Sequence, residues 1–217
     1  MAPTLVNEVV SVRPVRFPLG VVDVVFRPLS TPEAAVRARE LGFAHLDVSW
    51  EWEGDLALPV GDRTAHPSPR PGCSCPAPPE GDGMWDRAVR AYRRTPGMRM
   101  EPWPGSIVDS VEKVKAMVDE VPGLRLLVDT GHVANWGEDP VELLPWADHV
   151  QLRQARKGEA QTLEGDVDFA RVVACLDDLD YRGLLSIEYF DLPELGWPLD
   201  DPVGHAVALA EQIRPLL

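Results

Sequence analysis

The chain has 217 residues, enough for one domain with a sizeable core, and 45% of them are hydrophobic, the usual share for a soluble globular protein. Its formal net charge is -14, and its only lysines are Lys113, Lys115 and Lys157, so it carries no basic run to meet a phosphate backbone. That balance excludes a nucleic-acid partner, and the absence of any apolar run near the roughly 20 residues that span a bilayer excludes a membrane one.

The first residues lack the basic-then-apolar layout of a secretion signal, so the expected location is the cytoplasm. Three cysteines, Cys73, Cys75 and Cys175, are an odd set and predict no disulfide framework. Cys73-Ser74-Cys75 lacks a second thiol or histidine pair at zinc spacing, and Cys175 falls on an apolar helical face. A homodimer is compatible with the sequence.

Residues 1–17 read as an N-terminal lead-in, and residues 18–217 as a single domain. Val21, Val22, Val24, Val25 and Phe26 form a β-branched apolar run, the pattern of a strand buried on both faces. Thr31 as N-cap, Pro32 and Glu33 then open a helix that Gly42 closes, and residues 43–50 make a second strand. Residues 56–60 read as a weak strand. The stretch 61–83 holds six prolines and three glycines between Pro67 and Gly83 and predicts a long irregular loop, placed to cover an active site. A helix follows over 85–94.

From residue 98 the beat is regular. Strands are predicted at 98–103, 124–130, 149–153 and 184–190. Helices lie between them, capped by Ser106, by Asp139 with Pro140, and by Asp166 or Asp168; a last one starts at Asp201-Pro202. Strands alternating with helices imply a parallel sheet. Seven strands in a chain shorter than the usual 250 or so residues predict a (β/α) TIM-type barrel shortened to about seven βα units, with an open doubly wound sheet as the alternative. No Gly-rich phosphate loop follows the first strand, which weighs against a dinucleotide fold.

Four polar residues end successive strands, where barrels place their active sites: Glu101, Asp129, Gln151 and Glu188. One strand-end acid usually just caps a helix. Four together converge when the barrel closes, and three carboxylates at one point repel unless a cation neutralises them. His149, Gln151 and Arg153 share strand parity and are expected to point inward, with His149 deepest and packed in the core. Arg153, nearer the mouth, suits a substrate carboxylate or hydroxyl. Trp103 and Trp136 near the same rim suit a sugar-like molecule. Asp47, Glu51, Arg63 and His66 are weaker candidates.

Several of these segments form recognisable motifs. Asp129-Thr130-Gly131-His132, followed by Gly137-Glu138-Asp139-Pro140, resembles an element of sugar isomerases and epimerases in the xylose-isomerase-like superfamily. His149-Val150-Gln151-Leu152 is similar to that group's His-x-His-Leu strand, Gly165, Val167 and Phe169 to its Gly-x-Val-Asp-Phe helix entry, and Tyr181-Arg182-Gly183 with Ile187-Glu188 to its closing unit. The likeness covers residues 98–190 well and 21–50 loosely.

The resemblance implies one divalent metal on Glu101, Asp129, Gln151 and Glu188, with Gln151 standing where the family has His, as in some of its dehydroshikimate dehydratases. Four oxygen donors favour Mn²⁺ or Mg²⁺ over Zn²⁺. It implies substrate contact for His132. It further implies an isomerase or epimerase of a small polyhydroxy carbonyl compound, working through an enediolate with Glu101 and Glu188 exchanging the proton. A dehydroshikimate-type dehydratase, and a non-catalytic barrel that has lost its metal site, are the alternatives.

Overall fold

A computed structural model describes residues 17–49 and 54–217. Eight strands form one all-parallel sheet: β1 Leu19–Val22, β2 Leu46–Ser49, β3 Val60–Thr64, β4 Ser74–Pro76, β5 Arg99–Glu101, β6 Arg125–Asp129, β7 Ala147–Leu152 and β8 Leu184–Ile187. Their spatial order is β3-β2-β1-β8-β7-β6-β5-β4, so β1 pairs with β8 and the sheet curls round on itself. The seam between β3 and β4 is bridged just beyond β3, where the His66 N–H donates to the Ser74 carbonyl at 3.1 Å. The result is a nearly closed TIM-type barrel.

The expected seven-strand barrel is therefore corrected to eight strands. The eighth, β4, lies inside the Pro-rich stretch 61–83 that reads as a loop, and so does most of β3, four residues downstream of the predicted strand at 56–60. What the barrel has shed is helix. None connects β3 to β4, and none lies in the described residues between β2 and β3. Proline hid both strands, because Pro within an apolar run argues against a central strand. Here Pro76 ends β4 and the other prolines lie outside the strands, in the connections on either side of β4. The lead-in, residues 1–16, and Glu51 lie outside the described residues.

The helices are α1 Thr31–Glu40, α2 Met84–Arg93, α3 Val111–Glu120, α4 Thr130–Trp136, α5 Phe169–Asp178 and α6 Pro202–Ile213. Local chemistry explains their starts. Ser30, one residue earlier than expected, caps α1 in a reciprocal box: its N–H donates to Glu33 at 2.9 Å. Ser110 rather than Ser106 caps α3, Asp168 caps α5 and Asp201 caps α6, each accepting a backbone N–H of the first turn. Residues 140–146 form a 3₁₀ helix, since Pro145 lacks the N–H that an α-helix would use. No helix is expected directly after Asp129, yet α4 starts there.

Strand alternation separates two layers. Outward-facing Leu46, Val48, Leu126, Val128, Val150 and Leu152 are all buried and join the helices' apolar faces in one cluster with Ala34, Ala38, Met117 and Leu176. Most of the inward-facing set is polar: Asp47, Asp62, Ser74, His149, Gln151 and Ser186, each at most 2% exposed, with Leu127 and Val22 beside them. A barrel interior is ordinarily filled by branched apolar side chains. Here polar and charged groups take much of that space.

Halfway down the barrel His149 is clamped between two acids. Its Nδ1 lies 2.8 Å from Asp62 Oδ2 and its Nε2 2.9 Å from Asp47 Oδ2. Burial opposes a charge on the ring, but the two carboxylates outweigh it and push the imidazole up to about 10. Burial raises the Asp62 carboxyl, but His149 first, then Arg99, which pairs with Asp62 from below, and Ser74, which donates to it, together hold it below its ordinary value. His45 Nε2 contacts Ser186 Oγ at 3.0 Å. The network ties β2, β3, β4, β5 and β7 together across the barrel, including the two strands at the seam.

Candidate active site

One layer above His149, at the C-terminal mouth, the strands deliver a second charged cluster. Glu101 ends β5, Asp129 ends β6 and Glu188 follows β8 directly. Asp129 has two duties. Its Oδ1 accepts the N–H groups of Gly131 and His132, capping α4, while its Oδ2 faces the barrel axis. That cap folds the chain so that His132, in the first turn of α4, swings over the mouth. His132 Nε2 lies 3.5 Å from Asp129 Oδ2 and 3.7 Å from Glu101 Oε1. One donor atom each from Glu101, Asp129 and His132 fall within 4.8 Å of one another, near enough to share a cation.

Arg153 is placed differently from expectation. It is fully buried and does not line the mouth cavity. Its Nη2 bridges Asp129 Oδ2 and His132 Nδ1, the latter at 3.1 Å, and its guanidinium lies 4.7 Å from the centre of the Phe190 ring. Gly131 makes this possible: a Cβ there would fall 2.5 Å from Arg153 Nε. Arg153 is thus a positioning residue, orienting an acid and an imidazole from behind.

Glu188 Oε2 sits 3.8 Å from Arg153 Nη1. Burial, then the charge on Asp129, holds the Glu188 carboxyl well above the ordinary range. For Asp129 burial pulls the same way, but Arg153, His132 and the Gly131 N–H overcome it and keep this acid below its usual value. Arg153 and His132 thus pull Asp129 down while burial and the charge on Asp129 push Glu188 up, so the two carboxyls sit on opposite sides of their ordinary values.

Gln151 lies between Asp129 and Ser186 in the strand register. It is completely buried, and neither its amide oxygen nor its nitrogen has a hydrogen-bond partner. Leaving such a group unsatisfied costs about 1–3 kcal/mol. An orphaned amide beside a cluster of carboxylates is what a hard divalent cation would satisfy, so the residues present fit one.

The cavity over this cluster measures about 370 Å³. Glu101, His132 and Glu188 reach it from below, and Trp103, Phe190 and Trp197 wall it. Arg27 lines its rim. Of the residues singled out from sequence, Glu101, Asp129, His132 and Glu188 come together, Gln151 lies beneath them and Trp103 lines the cavity as expected. Trp136 does not: it lies on α4 away from the cavity. Asp47 belongs to the clamp around His149, Arg63 is exposed on β3, and His66 lies beside β4 and not at the mouth. Cys75 donates to the Ser68 carbonyl at 3.3 Å, and burial pushes its thiol up to about 11.

Sequence reasoning missed Arg27, Phe190 and Trp197. Phe190 had a signal, being two residues past Glu188 on the same parity. Trp197, whose ring centre lies 5.9 Å from that of His132, sits in an irregular segment with none.

A parallel barrel with an acidic, histidine-bearing mouth defines the class. The model of the xylose isomerase-like TIM barrel family matches residues 84–213, and the chain belongs to that family. It is 27% identical over 122 residues to an inosose dehydratase of Clostridium perfringens, a match covering 44% of this chain and 41% of that one. The chain thus spans about two fifths of the length of that relative.

Two solved structures share the fold. The 3-keto-D-glucoside 4-epimerase of E. coli superposes with a TM-score of 0.67 at 14% identity, covering 92% of this chain and 99% of the other. The D-psicose 3-epimerase of Clostridium cellulolyticum gives 0.68 at 11% identity, covering 93% and 99%. No helix among the described residues is long and apolar enough to cross a membrane.

Proposed function

We propose that the protein is a divalent-metal-dependent isomerase or epimerase of a small sugar-like polyhydroxy carbonyl compound. The observation that carries this reading is the convergence at the mouth: donor atoms of Glu101, Asp129 and His132 lie within 4.8 Å of one another, and Glu188 lines the same aromatic-walled cavity. Moving a proton between two carbons, or between two faces of one carbon, needs one group to take it and another to return it. Glu101 is the base in this assignment and Glu188 the acid.

Glu101, Asp129, Gln151 and Glu188 would hold the cation, Glu101 and Asp129 already bringing donor atoms within 4.8 Å of each other. When bound, the ion supplies Lewis-acid polarisation of a carbonyl oxygen. Oxygen donors in the majority favour Mn²⁺ or Mg²⁺ over Zn²⁺. Trp103, Phe190 and Trp197 exclude water and present flat faces to the C–H side of a sugar-like ring or chain. Arg153 holds Asp129 charged and His132 in one orientation, with Arg153 as donor and Nδ1 as acceptor, so that Nε2–H can donate toward the cavity.

The names of the curated relatives favour a second reading, a dehydratase that starts with the same proton abstraction and then expels hydroxide. Arg27 at the rim would suit a substrate carrying a carboxylate. The test is NMR of Mn²⁺-loaded protein with ketohexoses and cyclic polyhydroxy ketones in D₂O. Deuterium incorporation with conserved mass supports the isomerase reading, and loss of water supports the dehydratase. A protein that binds Mn²⁺ but exchanges no carbon-bound proton with any of them would overturn both.

A further inference from the structure

Resting on the reading that substrate binds in the mouth cavity, we propose that Gln161 is a positioning residue for it: one side chain that latches the cavity's aromatic wall over the charged cluster. The wall belongs to the segment joining β8 to α6, of which Phe190, Leu192 and Trp197 line the cavity. The chain folds back on itself there. Pro193–Leu195 form a single 3₁₀ turn, Gly196 takes a left-handed φ of 80°, and Leu192 and Trp197 exchange both backbone hydrogen bonds, at 3.0 and 3.1 Å. A hairpin held by one residue pair is too short to stand alone in water. Asp191 bonds only within the segment, accepting the Leu199 N–H at 3.0 Å. Among the described residues, the only hydrogen bonds that tie residues 190–199 to another part of the chain are those of Gln161.

Gln161 lies in the connection between β7 and α5 and meets both ends of the hairpin. Its Nε2 donates to the Phe190 carbonyl at 2.6 Å and to the Trp197 carbonyl at 3.3 Å, and its Oε1 accepts the Phe190 N–H at 3.3 Å. Two carbonyls and one N–H call for a head that donates twice and also accepts, which a primary amide provides and a carboxylate or ammonium does not. The amide is aimed by its neighbour. Thr162 donates its N–H to the Gln154 carbonyl at 2.8 Å and accepts the Tyr189 hydroxyl at 3.0 Å, so the backbone beside Gln161 is fixed on two sides.

What the latch fixes is the contact between wall and cluster. The Trp197 ring stands 5.9 Å from that of His132 and 5.4 Å from that of Phe190, and Phe190 covers the Arg153 guanidinium at 4.7 Å. Glu188 is held independently, its N–H donating to the Leu152 carbonyl at 3.2 Å. Releasing the latch therefore loosens the binding wall and leaves the proton-moving groups in place.

The test compares Gln161→Met and Gln161→Glu with the parent. Met removes all three bonds, whereas Glu keeps the size and shape of the side chain but turns a carboxylate toward two carbonyls. The His132 ring signal in the NMR spectrum of the metal-free protein, identified by its loss in His132→Gln, reports whether Trp197 stays beside it. Both variants should move that signal toward its position in Trp197→Leu while still unfolding cooperatively near the parent's melting temperature. This measurement needs neither metal nor substrate, so it holds or fails apart from the isomerase reading. For a substrate that the parent turns over, both variants should raise KM about tenfold, the worth of one or two neutral hydrogen bonds, and leave kcat within about twofold. An unmoved His132 signal in both variants would overturn the assignment. So would movement in Gln161→Met alone, which would make the side chain a space-filler, or a fall in kcat at unchanged KM.

Discussion

Two layers of the barrel interior contain the same kinds of residue and treat them in opposite ways. Around His149, two acids face one imidazole and one guanidinium, and the charges pair off. At the mouth, three acids, Glu101, Asp129 and Glu188, share the imidazole of His132 and the guanidinium of Arg153, a fully buried amide has no partner, and the Glu188 carboxyl is pushed well above its ordinary range. A satisfied network is expected to hold the fold together. An unsatisfied one is a place where a cation or a substrate completes the electrostatics.

Four substitutions or conditions would break or sharpen that contrast. The largest effect is expected at the mouth, where Glu188→Gln removes the transferable proton. Turnover should fall on the order of 10²–10⁴-fold while the melting temperature holds or rises, since a raised carboxyl pKa opposes folding at neutral pH. Steady-state rates and a thermal scan check this, and a near-normal rate would move the acid role elsewhere.

The deeper layer should respond in the opposite sense. His149→Leu leaves Asp47 buried without its counter-charge and Asp62 with Arg99 alone, and should cost about 3–5 kcal/mol in urea unfolding. If the loss is under about 1 kcal/mol, the clamp is not holding the strands.

Gln151→Met is the matched control, two residues along the same strand. It removes an unpartnered amide, so the metal-free protein should keep its stability or gain up to about 1–3 kcal/mol. At a hundredfold excess over its Kd, Mn²⁺ should stabilise the parent by about 2.7 kcal/mol and the variant much less. Equal Mn²⁺ responses would remove Gln151 from the ligand set.

The subtlest effect is on pH. The His149 imidazole is raised to about 10 in the folded chain from roughly 6.5 when unfolded. The clamp's contribution is therefore complete below about pH 6.5 and is lost as pH rises toward 10. Urea midpoints measured between these limits should fall for the parent and fall less steeply for His149→Leu.

The sequence was most legible where helices and strands alternate without interruption. Between residues 98 and 217, every expected strand was found, and Glu101, Asp129 and Glu188 were identifiable as acids ending apolar runs. The prolines between 67 and 79 made the seam unreadable, because they contradict strand propensity while flanking two short strands that only tertiary closure supports. The setting of Arg153 was unreadable for a related reason. Strand parity says that it points inward, but not that Gly131 leaves room for it to fold back onto Asp129.

Apolar periodicity, turn glycines and caps by themselves determined strands alternating with helices, hence a parallel sheet, with carboxylates at the strand ends, since these are local properties of the chain. Tertiary structure alone decided that the sheet closes into a barrel, that His132 swings into the cluster, that Gln151 has no partner, and that a missing helix opens a second cavity beside β4. Each of these depends on groups distant in sequence sharing one small, poorly solvated volume, where pairing energies depend on distances that no local pattern encodes.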